Sequence, residues 1–134
     1  MSKSNIKLEE INNVKLTNPE IKQRQVQSSQ TLITHHFVLL EADKDIAFIS
    51  LDIYSDYDYL TIYELFVPRS LRHQGYGGKA LSVIEEYSHT HGFKMLKLLA
   101  RPLEGDYRQE DLFKWYEKHG FHNSDNEEVF EKNC

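Results

Sequence analysis

The chain has 134 residues, 40% of them hydrophobic, 28% charged and 12% aromatic, which suits one domain with a real core. Its 16 basic and 21 acidic residues give a formal charge of −5, which argues against nucleic acid as the main partner and mildly favours a cationic or amine substrate. The only cysteine is Cys134, which excludes an internal disulfide framework and a cysteine-based zinc site.

The N-terminus, MSKSNIKLEE, is polar and has no signal-peptide core, and no apolar run approaches the ~20 residues of a membrane span. The expected location is therefore cytoplasmic, with no membrane partner. Residues 1–31 are polar and weakly patterned, with room for a short strand near Asn13–Leu16 and a short helix. LITHHFVLLE (32–41) is rich in β-branched and apolar residues and reads as a strand. ADKD (42–45) is turn chemistry, and IAFISLDIY (46–54) is a second strand, so the two predict a hairpin. SDYD (55–58) makes the next turn, and YLTIYELFV (59–67) is a third strand, ended by Pro68.

The period then changes. Ala80, Leu81, Ile84, Tyr87 and Ser88 fall on one helical face, and Gly92 is placed to end that helix. FKMLKLLA (93–100) returns to strand, and Pro102 and Gly105 break the chain. Asp106–Gln109 has the form of a capping box. A helix follows to about His119, with Gly120 as its stop. Phe121 begins a short strand, and EEVFEK (127–132) predicts another at the sheet edge. Strands first, then β-loop-α-β-α-β, predict a mixed α/β sheet rather than a doubly wound one.

The junction RHQGYGG (72–78) places three glycines between a strand and a helix. Such a turn aims free N–H groups outward at the positive end of a helix dipole, a site for phosphate. A P-loop is excluded because GxxxxGK[ST] is missing. Gly75-x-Gly77-x-x-Ala80 does fit the dinucleotide pattern GxGxxA, yet a Rossmann unit does not begin after three antiparallel-looking strands. The pyrophosphate loop of an acyl-CoA-dependent transferase and a purely structural turn are the remaining readings.

Alternation along the third strand puts Leu60, Ile62, Glu64 and Phe66 on one face, so a carboxylate interrupts an apolar row. Burial there is costly unless the group is paired or used, and desolvation would raise its pKa toward a range useful for a base. The histidines carry less. His35 and His36 are adjacent on a strand and face opposite ways. Glu85 and His89 are one helical turn apart and could chelate, though a solvated face suits them better, and His119 and His122 flank a turn as surface residues. No metal site is expected.

VPRSLRHQGYGGKAL resembles the acetyl-CoA motif of the GNAT superfamily of N-acyltransferases, Arg/Gln-x-x-Gly-x-Gly/Ala, here Arg72, Gly75 and Gly77. WYEKHGF resembles the family's Tyr-x-x-x-Gly-Phe after the last long helix, here Tyr116, Gly120 and Phe121. The resemblance covers roughly residues 32–132 and leaves 1–31 as a variable N-terminal segment of a single domain. It departs at Gln109 and Leu112, where the family often has Asn and Ala.

What the resemblance implies is a mixed, mostly antiparallel sheet splayed in its middle, flanked by helices, with a shortened N-terminal region. Acetyl-CoA would be the co-substrate. The backbone near Phe66 and Val67 would hold its pantetheine arm, and Arg72, His73, Gln74, Gly75, Tyr76, Gly77 and Gly78 would cradle the pyrophosphate. The Arg72 side chain would steady the loop or a phosphate. Glu64 would serve as base and Tyr116 as the acid that protonates the departing thiolate. The acceptor would be a primary amine, on a small molecule or a protein, in a pocket left open or completed by a second subunit in a homodimer. The alternative implied is a non-catalytic module of this fold that binds coenzyme A or a partner protein.

Overall fold

The computed structural model describes residues 6–13, 15–28, 30–100, 108–123 and 129–134. Among them, the strands are β1 (Ile6–Glu10), β2 (Thr34–Glu41), β3 (Lys44–Asp52), β4 (Tyr59–Phe66), β5 (Met95–Leu99), β6 (His122–Asn123) and β7 (Val129–Asn133). The helices are α1 (Pro19–Gln27), α2 (Tyr76–Thr90) and α3 (Gln109–Lys118). One sheet runs in the order β1-β2-β3-β4-β5-β7-β6. All neighbours are antiparallel except β4 and β5, which are parallel and joined by the α2 crossover. No helix among the described residues is long and apolar enough to cross a membrane.

β2 and β3 are buried along nearly their whole length, because helices cover both faces of the sheet. On one face Leu39, Ile49, Leu60 and Leu96 pack with Ala80, Leu81 and Ile84 of α2 and with Tyr116 of α3. On the other face Val38, Leu40, Phe48 and Phe66 form a smaller cluster closed by Ile21 of α1. Strands enclosed in this way read as continuous apolar runs, which is how LITHHFVLLE and IAFISLDIY stand out in the sequence.

The hairpin turn is tighter than expected. Only Ala42 and Asp43 turn, both at positive φ (50° and 68°), the form of a two-residue turn whose twist suits a hairpin. Lys44 and Asp45 already pair with Glu41 and Leu40. Among the described residues of the expected strand at Asn13–Leu16 none is extended into one: Asn13 ends a 3-10 turn, and Lys15 and Leu16 belong to no element. β1 comes earlier and owes its extension to pairing with β2, from Ile6 opposite Glu41 to Glu10 opposite Phe37. The last strand also differs. β7 is not at the edge but between β5 and β6, because the chain doubles back after β6 and pairs antiparallel along β5.

α1 begins by the usual chemistry of a helix start. The Asn18 Oδ1 accepts from the N–H groups of Glu20 (2.9 Å) and Ile21 (3.2 Å), and Pro19 opens the helix. Asp45 of β3 then ties this cap to the sheet. Its carboxylate accepts from the N–H groups of Thr17 (2.9 Å) and Asn18 (2.8 Å) and from the Thr17 hydroxyl. Ile21 is the one fully buried residue of α1, worth about 1.5–3 kcal/mol of burial. The helix is thus held by its cap and one anchor. At α3 the N-cap is Arg108, with no side-chain cap; the Asp106 of the expected capping box lies outside the described residues.

Candidate active site

β4 carries one residue too many for β3. Ser50 lies opposite Glu64 while Leu51 lies opposite Ile62, so Tyr63 is a bulge. Two consequences follow from that extra residue. First, the ladder to β5 ends at Ile62, paired with Leu98, and the rest of β4 keeps only β3 as a neighbour. The sheet splays there and leaves a strip of β4 backbone open. Second, the side chains change face. Leu60 and Ile62 belong to the core under α2, whereas Phe66 belongs to the cluster under α1. Glu64 follows Phe66, so the expected single row of Leu60, Ile62, Glu64 and Phe66 does not exist.

The splay opens into a cavity of about 770 Å³. Glu64, Phe66, Val67, Arg72, His73, Gly75, Tyr76, Gly77, Gly78 and Tyr116 all line it. Gln74 is not among the lining residues, and its amide nitrogen turns back toward the Ser70 carbonyl (3.5 Å). The cradle is shaped by left-handed backbone at two points, His73 (φ 64°), which is strained there, and Gly75 (φ 81°), which is not. Gly75 is the N-cap of α2 and supplies no side-chain cap, so the first amides of α2 stay available to an outside acceptor. The Arg72 Nε donates to the Val67 carbonyl (3.0 Å), binding the loop to the end of β4. The Tyr76 hydroxyl donates to Glu41 (2.7 Å) and pins the start of α2 to the hairpin.

Gly77 and Gly78 serve a further purpose that the glycine pattern does not disclose. A Cβ at Gly77 would lie 2.9 Å from Cζ2 of Trp115, and one at Gly78 would lie 2.9 Å from Cε1 of His119. Trp115 lies on α3 and His119 caps its C-terminal end one turn later, their rings 4.6 Å from each other, and both line the cavity. His119 is therefore not the surface residue expected. Its pKa is lowered, by desolvation first and then by the charges of Lys118 and Lys132, which favours a neutral ring.

Tyr116 is buried at 8% exposure, with its ring edge-on to Trp115 (5.0 Å) and to Phe121 (5.7 Å). Burial pushes its phenol up to about 12. Glu64 meets α1. The Ser28 hydroxyl donates to its Oε1 at 2.7 Å, and Arg24 approaches its Oε2 at 3.9 Å. Arg24 also lies over the Phe66 ring, 5.0 Å from its centroid. Arg24 and Ser28 were missed from the sequence because they come from a polar segment with no motif around them. Glu85, paired with His89 in the sequence as a possible chelate, instead accepts from Lys132 at 3.0 Å. Among the described residues no cluster of three or more His, Cys, Asp or Glu could hold a metal ion.

Comparison with known proteins places this architecture. No curated protein matches the chain significantly. Among solved structures, a GNAT family acetyltransferase from Elizabethkingia anophelis with acetyl-CoA bound superposes with a TM-score of 0.67 at 14% identity, covering 98% of this chain and 100% of that one. Tetrahymena GCN5 gives 0.63 at 15% identity, covering 98% and 96%. The PaiA N-acetyltransferase of Thermoplasma acidophilum, in complex with coenzyme A, gives 0.58 at 20% identity, covering 86% and 67%. The Acetyltransferase (GNAT) domain family matches residues 33–123, and the chain belongs to that family.

Proposed function

We propose that this protein is an N-acetyltransferase that moves the acetyl group of acetyl-CoA directly to a primary amine. One observation carries the reading: a single cavity joins the open edge of β4, the uncapped start of α2, and the side chains of Glu64 and Tyr116. The residues present fit the co-substrate. The strip beyond Ile62 offers backbone groups to an extended pantetheine arm, as an added strand would be held. The amides from His73 to Gly78 offer donors to a pyrophosphate.

In the reaction the amine nitrogen attacks the thioester carbonyl carbon. The new C–N bond forms, the C–S bond breaks, and the nitrogen gives up one proton while the sulfur gains one. Glu64 takes the proton from the amine, directly or through water. Tyr116 donates to the departing sulfur. A phenol at about 12 is a far weaker acid than a thiol near 8.5. Tyr116 therefore keeps its proton until charge develops on the sulfur, and stabilises that charge by hydrogen bonding as much as by transfer.

A second reading, a module that binds coenzyme A or a partner protein without turnover, draws on the hold that Ser28 and Arg24 keep on Glu64, which also describes a structural carboxylate. An acetyl-CoA turnover screen over an amine panel, read by free thiol release, decides between them. Thiol release with at least one amine is expected; binding of acetyl-CoA with no acceptor-dependent release would favour the module.

A further inference from the structure

On the α1 side of β4 lies a second cavity of about 350 Å³, lined by Glu20, Gln23, Arg24, Gln27, Phe66 and Arg69. Phe66 borders both this cavity and the larger one, and Arg24 reaches from this cavity to Glu64 in the wall of the larger one. The Arg24 and Glu64 side chains are only 19% and 10% exposed. Their closest approach, 3.9 Å, is too long for a hydrogen bond. That approach is made by the Arg24 Nη1; the Glu64 Oε2 and, separately, the Arg24 Nε are buried with no hydrogen-bond partner. One is a cationic donor and the other an anionic acceptor, and leaving either unmade is costly.

A ligand that satisfies both must bring an anionic acceptor to Arg24 and a cationic donor to Glu64, a short distance apart. An α-amino acid has that form, with a carboxylate and an ammonium on one carbon. The rest of the small cavity agrees. Gln23 and Gln27 add amide donors. The one carboxylate of the lining, Glu20, already accepts from the Arg69 backbone N–H at 2.8 Å. The size suits a free amino acid. We infer that the acceptor amine belongs to an α-amino acid whose carboxylate is held by Arg24 while its ammonium faces Glu64. This rests on the acetyltransferase reading. It adds Arg24 as the residue that selects the substrate, and Ser28 as the residue that holds the far oxygen of Glu64 in place.

The test compares each amino acid of a panel with its carboxamide and with the matching decarboxylated amine, using thiol release from acetyl-CoA. The amino acid should have the higher kcat/KM by about tenfold or more, the worth of one charge-assisted hydrogen bond. Arg24→Gln should shrink that gap to about threefold or less, mainly through KM, and Arg24→Lys should restore part of it. Thermal melting confirms that each variant is folded. Amines acetylated without regard to a carboxylate would overturn this assignment and leave the acetyltransferase reading standing. If no amine is acetylated, that reading fails. Calorimetry of the same amino acids on the protein saturated with coenzyme A then decides the site by itself. Binding that Arg24→Gln abolishes supports it, and no binding, or binding indifferent to Arg24, overturns it.

Discussion

Gly77 faces the indole of Trp115 so closely that a Cβ added there would lie 2.9 Å from Cζ2. The glycine thus lets α3 lean onto the start of α2 and close the side of the cavity. Gly77→Ala should overpack this contact and cost about 1–3 kcal/mol, measured by urea denaturation. Trp115→Phe withdraws the ring edge that would be struck. The double variant should therefore lose less than the two single losses added together. Additive losses would mean that the glycine does not serve this contact.

Tyr116→Phe keeps the packing against Trp115 and Phe121 and removes only the hydroxyl. Turnover should fall by roughly 10²–10⁴, with acetyl-CoA affinity nearly unchanged by calorimetry. A variant as fast as the parent would make Tyr116 a core aromatic and nothing more.

The same residue predicts an alkaline effect on stability. Its folded pKa of about 12 lies above the ordinary 10.0, so the folded state holds the proton more tightly than the unfolded one. That contribution is complete below about pH 10 and is lost as the pH rises from there toward about 12. Tyr76 and Tyr87 are raised too, the first by its hydrogen bond to Glu41 and the second by desolvation. In Tyr116→Phe the fall in urea midpoint across this range should be shallower than in the parent, not absent.

Glu64→Gln retains an oxygen to accept from Ser28 but cannot take a proton from an amine. It should lower kcat by roughly 10²–10⁴ and leave the acetyl-CoA dissociation constant alone. Steady-state kinetics beside calorimetry separates the two. Unchanged kcat would mean that the acceptor loses its proton to water and that the protein works by positioning.

Asp45 predicts the acid side. Desolvation pushes its carboxyl up, but the bonds from the Thr17 hydroxyl and from the Asn18 and Thr17 amides outweigh it, and the net value lies below the ordinary 3.8. Its stabilisation is present above that ordinary value and is lost as the pH falls through the lower folded one. Asp45→Asn loses an acceptor oxygen for these donors and should cost about 1–3 kcal/mol at neutral pH. Urea denaturation between pH 7 and pH 3 should show the gap to the parent closing in acid. A gap that stays constant would mean that the ionised carboxylate is not what anchors α1.

By itself the sequence determined the middle of the fold. Continuous apolar runs marked β2 and β3, and the face of Ala80, Leu81 and Ile84 marked α2. Arg72, Gly75 and Gly77, with Tyr116, Gly120 and Phe121, carried the resemblance to the family. Such signals are local: periodicity and turn chemistry are written within a dozen residues. Even α1 left a local trace, since Asn18 and Pro19 are a helix start, though one buried residue, Ile21, gives no period to find.

Tertiary structure decided the rest. The bulge at Tyr63 arises from the register between β4 and β3, and no pattern in β4 alone reveals that Glu64 has crossed to the α1 face. The contacts of Gly77 with Trp115 and of Glu64 with Arg24 and Ser28 join segments separated by 36 to 40 positions. Side chains so far apart in the chain meet only when the sheet and its two helix layers fix their distance. The identities of those residues were therefore plain in the sequence, and their partnership was not.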